Sequence, residues 1–574
     1  MEMSNPEIAA RLRRLADLVE IDGGNPFRIR AYRNAADTID GLTRPVTELV
    51  AADVDLTDYP HIGRDIAAAL RELVATGSLP PLVEVEARVP PELADLMRVR
   101  GLGPKGVKAL HEHLRPASIA ELERLARAGR TRELPGFGAK KEAALLAGIR
   151  ALRTATPGRT RRADAAAAAE AVRDHLAAVD GVEQVVIAGS YRRRCETIGD
   201  LDLVVASHDG DAVTAALAAW PQVDRVLASG PTRTTVMLAN GLQLDLRVVA
   251  PAHFGAALLY FTGSQAHNTA LRQRASDQGH KLNEYGLHVD GESAASRDES
   301  EIHAALGLAW IPPELREGWG EIEVAAAGRL PELVENRAIR GNLHGHTTWS
   351  DGHDSLDTMV AAARERGYEY LAITDHGPAL RFANGLSVER LREQIERVAA
   401  VNAAHDDVEV LTGCEVDILA DGALDLPDEV LAELDIVVCS IHYQLERSRE
   451  EQTQRVLRAM ESPYFMIWGH PTARTINRRE PIAIDLDRCL RRAAELGIAV
   501  EINAQPKRLD LSAENARRAL DHGCRLSVNT DAHRAAHFDL LTYGIDQARR
   551  AGATAADIIN TRPWAELRTL LRRP

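Results

Sequence analysis

The rhythm of apolar and polar positions changes twice along the chain. Over roughly the first hundred and fifty residues, apolar side chains recur at the spacing of short amphipathic helices. Next, "VVIAGSYRRRCETIGDLDLVVAS" (Val185 to Ser207) sets apolar runs on both sides of a polar centre, which predicts two strands joined by a polar turn. The "TPGRTRRADA" ahead of it reads as a linker into a helix. In the last third the apolar runs become regular: "IRGNLHGH", "YLAITDH", "VEVLTGCE", "DIVVCSIH", "YFMIWGH", "IAVEIN" and "RLSVNTDAH". Nearly all stop at a side chain that can bind a metal, and helix-like segments such as "SLDTMVAAARERG" and "DLDRCLRRAAELG" separate them. Strand, ligand, helix in repetition predicts a parallel α/β barrel with its site at the C-terminal strand ends. Seven such strands favour a slightly irregular barrel over an open sheet.

The chain's 574 residues exceed what one core can serve, so two to four domains are expected. Net charge is −15, but from Gly101 to Arg162 basic residues outnumber acidic ones, Lys105, Lys108, Lys140, Lys141, Arg159, Arg161 and Arg162 among them. A local basic face binds phosphates even on an acidic protein, because more distant charges are screened. The N-terminus has no signal-peptide pattern and no apolar run reaches bilayer length, so a cytoplasmic protein with no membrane partner is expected. Five scattered cysteines form no C-x-x-C pair and no disulfide framework.

A small motif recurs in the helical part: "PHIGRDIAAAL", "VRGLGPKGVKAL" and "LPGFGAKKEAAL". Each sets glycine or histidine, a hydrophobe and glycine before a helix, whose free N–H groups suit a phosphate. The motif resembles the helix-hairpin-helix module, which grips the DNA backbone without reading sequence. The resemblance implies DNA contacts at Gly101, Gly103, Lys105, Gly136, Gly138 and Lys140; the first copy has His61 where the module has glycine.

Asp200 and Asp202 are two apart at the start of a strand, so both point to one face, and Asp245 interrupts the apolar strand "LQLDLRVVA". Clustered carboxylates repel unless cations sit between them, and two Mg²⁺ about 4 Å apart are the usual occupants in phosphoryl transfer. The "GS" of Gly189 and Ser190 offers backbone N–H groups and a hydroxyl to a triphosphate. "GSYRRRCETIGDLDLVV", "LDLRVV", "LLYFTGSQAHN" and "NEYGL" together resemble the family X DNA polymerases, from about residue 5 to 320. That resemblance implies Mg²⁺ or Mn²⁺ held by Asp200, Asp202 and Asp245, with Asp245 nearest the primer 3′-hydroxyl. It implies triphosphate contacts at Gly189, Ser190 and Arg193, and a sugar pocket of Tyr260, Phe261 and Gly263. Asn268 and Arg272 would face the nascent pair's minor groove. One departure stands out: no lysine precedes Lys105, and "GRDIAAAL" has Asp65 and Ala69 where a Schiff-base lyase needs lysine.

The strand-end residues of the last third mix imidazole with carboxylate, which suits Zn²⁺, Mn²⁺ or Fe²⁺ better than an all-oxygen Mg²⁺ site. "LHGHTTWSDG…ITDHG…GCEVDIL…SIHYQ…GHPTAR…TDAH" resembles the polymerase and histidinol phosphatase (PHP) domain. By that resemblance three divalent metals are held: one by His344, His346, Glu415 and Asp531, a second by Glu415, His442 and His470, a third by Asp351, His376 and His533. Arg474 and Arg508 read as phosphate contacts or as structural cations, and Asp375 as a residue that orients a ligand.

The fold class expected is therefore multidomain α+β and α/β. A helical DNA-binding domain spans 1–80, a fingers-like helix-hairpin-helix region 81–158, a nucleotidyltransferase palm with a mixed sheet 159–250, a thumb-like region 251–325 and a PHP barrel 335–574. The matching family is the bacterial family X DNA polymerases, which implies gap filling in DNA repair together with 3′-5′ removal of nucleotides. Gapped or primer-template DNA and deoxynucleoside triphosphates are the implied partners of a monomer. Two rivals remain: a PHP phosphoesterase acting on a small phosphorylated metabolite, and a DNA-end-binding scaffold with spent sites.

Overall fold

Two compact units make up the chain, one of residues 1–156 with 381–383 and one of the remainder. The computed structural model describes residues 3, 5–42, 45–90, 93–96, 102–116, 119–134, 137–138, 141–143, 145–146, 149, 159–290 and 292–571. Among them no single helix is long and apolar enough to cross a membrane.

The first unit is helical, as its amphipathic spacing requires. Ile8, Leu12, Leu15 and Leu18 form one stripe of helix Asn5–Asp22 and pack with Tyr32, Ile39, Leu70, Val107 and Leu110 from later helices. Gly63 and Gly103 cap helices Arg64–Thr76 and Pro104–Leu114 with nearly the same backbone, φ −77° and −82° and ψ 172° at both. A Cβ at Gly63 or Gly103 would meet nothing within 4 Å, so these glycines leave the helix starts open to an outside group, and a Cβ at Gly138 would likewise meet nothing.

In the second unit, β1 (Thr160–Arg161) pairs antiparallel with β3 (Thr197–Ile198), so part of the expected linker is a strand. The expected polar turn also holds a one-turn helix, Gly189–Arg192. The palm sheet joins β2 (Val182–Ile187), β4 (Asp200–Ser207), β5 (Val223–Gly230), β6 (Arg233–Leu238) and β7 (Gln243–Val249) in the order β2-β4-β7-β6-β5. Only β4 and β7 run parallel. Helices Arg162–Ala177 and Gly210–Ala218 cover one face, and helix Phe254–Thr262 covers the other. The thumb-like part follows, with the hairpin strands β8 (Lys281–Asn283), β9 (Gly286–Val289) and β10 (Glu292–Ala295) beside helix Gln265–Asp277.

The last seven strands are β11 (Gly341–Asn342), β12 (Tyr370–Ile373), β13 (Glu409–Asp417), β14 (Ile436–Ser440), β15 (Ile467–Trp468), β16 (Ala499–Asn503) and β17 (Leu526–Asn529). They pair in sequence order, all parallel, and the bridge Gly345↔Ala532 nearly closes the barrel. The expected irregular seven-stranded barrel is present.

Palm, thumb and barrel are fastened by buried ion pairs. Asp546, 2% exposed, accepts from both Arg162 and Arg194 of the palm. Arg549 pairs with Glu314 at 3.0 Å and Arg550 with Glu317 at 2.8 Å. Arg162 also lies over the Tyr543 ring, 4.9 Å from its centroid.

Candidate active sites

Strand alternation builds the palm site. Leu201, Leu203 and Val205 of β4 point into the core, so Asp200 and Asp202 share the opposite face with Val204 and Ala206. β7 follows the same rule, with Leu244, Leu246 and Val248 inside. Asp202 stands opposite Asp245 in the parallel register, which gathers three carboxylates at one strand end. Thr235 Oγ1 and Gln243 Nε2 each donate to a different Asp245 oxygen at 2.6 Å. Burial, then the charges of Asp200 and Asp245, push the Asp202 carboxyl up to about 7. Burial and Asp245 also raise Asp200, against the pull of Arg159. Such repulsion is what a divalent cation between the oxygens relieves, so this donor set fits one. Gly189, at φ +58°, packs on this cluster: a Cβ there would lie 2.0 Å from Asp202 Oδ2.

Ser190 lies half-buried in helix Gly189–Arg192. Arg193 turns inward: its Nε donates to Glu317 at 3.0 Å and its Nη1 to the Thr262 carbonyl at 2.5 Å. This bridge between palm and thumb differs from the free triphosphate contact expected of it. Tyr260 is 37% exposed, and Arg247 lies over the Phe261 ring at 5.0 Å. Gly263 sits against Arg193, with φ +67°. Arg272 Nε donates to the Asn268 carbonyl and Asn268 Nδ2 to the Tyr260 carbonyl, so these three residues form one exposed string. Of the expected DNA contacts, Gly103 and Gly138 are placed as above; Gly101, Gly136 and Lys140 lie outside the described residues, as does the Lys105 side chain.

The barrel site is centred on Glu415, 1% exposed on β13. Its Oε2 lies 3.2, 3.5 and 3.1 Å from nitrogens of His344, His346 and His376. Its Oε1 lies 3.4 and 2.8 Å from His442 and His470. Asp531 Oδ1 is 3.2 Å from His346 and 3.7 Å from His344, and Asp351 Oδ1 is 3.6 and 3.5 Å from His376 and His533. Three groups have donor atoms within 4.8 Å of one another: His344, His346 and Asp531; His376, Glu415 and His442; His346, Asp351, His376 and His533. His346 and His376 each belong to two of these groups.

Whether metals fit is answered by the nitrogens themselves. His344 Nε2, both ring nitrogens of His346 and His376 Nδ1 are buried without a hydrogen-bond partner. Buried polar atoms this dense and this idle are costly unless an ion takes them. Burial resists charging His344, yet Glu501, Glu415 and Asp531 raise its pKa well above the ordinary value. Burial opposes ionisation of Glu415 too, but His344, His442 and His376 hold it well below the usual carboxylate range.

Residues behind the donors fix their aim. Glu501 Oε1 lies 2.7 Å from His344 Nδ1, while its other oxygen accepts from the His470 backbone N–H. Asp417 is 3.3 Å from His442 Nδ1. Asp375 accepts from Thr347, Ser350 and Gln394, so it steadies the turn that carries Asp351 and leaves the His376 ring alone. Arg474 pairs with Glu196 of the palm at 3.1 and 2.5 Å, the structural one of the two readings its sequence left open. Arg508 stays at the mouth, Nε 3.9 Å from Asp531. Glu501 ends an apolar run just as the donors do, so sequence pattern alone could not separate the two roles.

Four family models match the chain: a helix-hairpin-helix domain over 3–79, the DNA polymerase beta palm over 159–241, the DNA polymerase beta thumb over 257–317 and the PHP domain over 342–505. The DNA polymerase/3'-5' exonuclease PolX of Bacillus subtilis (strain 168) is 34% identical over 577 residues, with 100% of both chains covered. A probable phosphatase of Thermoanaerobacter sp. (strain X514) is 32% identical over 236 residues, 38% of this chain and 89% of its own. A probable phosphatase of Caldanaerobacter subterraneus subsp. tengcongensis is 32% identical over 208 residues, 33% of this chain and 74% of its own.

Proposed function

The chain belongs to the bacterial family X DNA polymerases that carry a C-terminal PHP domain, and on that premise we propose a DNA-repair enzyme that extends and trims 3′ ends at two separate sites. It is a DNA polymerase with 3′-5′ exonuclease activity, and its helix-hairpin-helix part binds DNA. The finer reading is gap filling from deoxynucleoside triphosphates on gapped or primer-template DNA, by a cytoplasmic monomer.

The observation that carries the reading is that both donor sets are complete in one chain: Asp200, Asp202 and Asp245 across β4 and β7, and Glu415 amid five histidines in the barrel. Divalent cations bound there supply charge neutralisation at phosphorus and a lowered pKa for an attacking oxygen. We read Mg²⁺ or Mn²⁺ at the palm from its all-oxygen donors, and Mn²⁺, Zn²⁺ or Fe²⁺ at the barrel from its imidazoles.

In the palm, Asp245 is the residue read as nearest the primer hydroxyl. Its two fixed oxygens orient it to draw that proton off as the new bond forms. Gly189 and Ser190 would meet the triphosphate; Arg193 would reach it only by leaving Glu317. Asn268 and Arg272 would line the nascent pair, and the open starts of the helices after Gly63 and Gly103 would take phosphates of the duplex, as would the chain at Gly138. In the barrel, Glu501 and Asp417 keep His344 and His442 aimed inward, and Arg508 waits at the mouth for a phosphate oxygen.

The likeness of one part of the chain to probable phosphatases favours a second reading, hydrolysis of a small phosphate ester at the barrel. The helix-hairpin-helix part gives such an enzyme nothing to do. Extension and shortening of one labelled primer in a gapped duplex test the proposal; a protein that does neither refutes it.

A further inference from the structure

Three successive arginines, Arg192, Arg193 and Arg194, follow the Gly189–Ser190 turn of the palm, and the thumb offers each of them a carboxylate. Arg192 makes a two-point pair with Glu299 at 2.7 and 2.8 Å, Arg193 meets Glu317 at 3.0 Å, and Arg194 meets Glu314 at 3.1 Å. Helix Leu541–Ala551 of the barrel enters two of these pairs. Its Asp546 also accepts from Arg194, and its Arg550 donates to Glu317 at 2.8 Å.

The pairs differ in how firmly each arginine is held. Arg192 spends a third hydrogen bond on Thr262 Oγ1 at 2.7 Å. Arg194 is shared between two carboxylates, Glu314 and Asp546. Arg193 gives Glu317 one hydrogen bond, from Nε, and its Nη1 goes to the Thr262 carbonyl. If the Arg193 side chain left, Glu317 Oε1 would keep Arg550 Nη1 at 2.8 Å and the Cys195 thiol at 3.6 Å. No carboxylate would be stranded without a cation, which is what makes breaking a buried pair costly. Burial opposes ionisation of Glu317, but Arg550 and then Arg193 hold it below the usual carboxylate range.

The main chain at Arg193 is fixed separately from its side chain. Arg550 donates to the Arg193 carbonyl at 2.6 Å, and the Arg193 N–H donates to the Gly189 carbonyl at 3.2 Å. A Cβ on Gly263 would lie 3.2 Å from Arg193 Nη1, so the guanidinium already borders the wall read as the sugar pocket.

We propose that Glu317 is a latch on Arg193: it holds the guanidinium while no nucleotide is bound and yields it to the incoming triphosphate, with Arg550 remaining on Glu317 to ease the release. This rests on the reading of Arg193 as a triphosphate contact. One charge-assisted hydrogen bond is exchanged for others, so the latch taxes nucleotide affinity by the fraction of protein in which Arg193 is held. Glu317 and Arg550 are positioning residues, acting through Arg193.

The test measures KM and kcat of the full chain for the deoxynucleoside triphosphate complementary to the gap, with Mn²⁺ and a labelled primer in a gapped duplex. Glu317→Gln keeps the shape and drops the charge; it should lower KM about threefold or more and leave kcat within about twofold. Arg550→Gln leaves Glu317 to Arg193 alone; it should raise KM about threefold or more with kcat again within about twofold. Arg550→Lys, which keeps the charge, should recover most of that loss. Arg193→Gln should raise KM about tenfold, and adding Glu317→Gln to it should change KM by less than about twofold. A purely structural ion pair would move KM the same way in Glu317→Gln and Arg550→Gln, or lower kcat in both, and either result overturns the inference. A raised KM in Arg193→Gln without a fall in Glu317→Gln refutes the latch alone. A wild-type KM in Arg193→Gln refutes the triphosphate reading of Arg193, and the latch with it.

Discussion

Glu196 of the palm and Arg474 of the barrel form a two-point ion pair, at 3.1 and 2.5 Å. Glu196 lies just ahead of Asp200 and Arg474 just after His470, so one pair joins the segments that carry both donor sets.

Arg474→Ala should therefore destabilise the protein by about 1–3 kcal/mol, because it strands a partly buried carboxylate. Denaturant titration measures the loss. Removing Glu196 as well should cost less than the sum of the two single changes, and strictly additive losses would show that the pair is not coupled.

Gly189→Ala tests the packing of the palm site. The new methyl would overlap Asp202 Oδ2 and would have to accept φ +58°. Primer extension should fall by at least about a hundredfold, since an ångström of displacement at reacting groups costs that much. Shortening of the same primer should stay within about twofold, as the barrel donors are untouched.

Asp202 gives a pH signature to the metal-free protein. Its folded carboxyl sits at about 7, raised by burial, Asp200 and Asp245, against about 4 in an unfolded chain. Between those values the folded state binds a proton that the unfolded state lacks, so this group lowers stability as pH rises from about 4 to 7. In chelator, Asp202→Asn should match wild type near pH 4 and exceed it increasingly up to pH 7, with no further gain above. A stability difference that does not vary with pH would contradict the raised pKa.

Glu501→Gln keeps the shape but weakens the hold on His344 Nδ1, now 2.7 Å from the carboxylate. Metal affinity at the barrel should drop about 10–100-fold, read by competition with a chromophoric chelator. A change of less than about twofold would mean that His344 is aimed by other contacts.

Much of this architecture is legible in the sequence because each barrel strand announces its own end. An apolar run followed by His or Glu, as in "VEVLTGCE", encodes both the strand and the donor at its tip. The period-two spacing of Asp200 and Asp202 likewise fixes their common face. The register that brings Asp245 opposite Asp202 depends on β7 joining β4 in parallel, which no local signal specifies. Roles that depend on distant partners are silent as well. Arg474 looks like a free phosphate contact beside His470 until Glu196, 278 positions away, is found against it. Asp546 sits in a helix whose sequence gives no hint that Arg162 and Arg194 will converge on it. β1 was legible only as a linker because its one partner, Thr197–Ile198, is equally short.

The most direct measurement follows a labelled primer in a gapped duplex with Mn²⁺, with nucleotides present or absent, for three proteins. Wild type should extend the primer with nucleotides and shorten it without them. Asp200→Ala with Asp202→Ala should lose extension and keep shortening, whereas His344→Ala with His346→Ala should do the reverse. If either double variant lost both activities while remaining folded, the two donor sets would not be separate active sites.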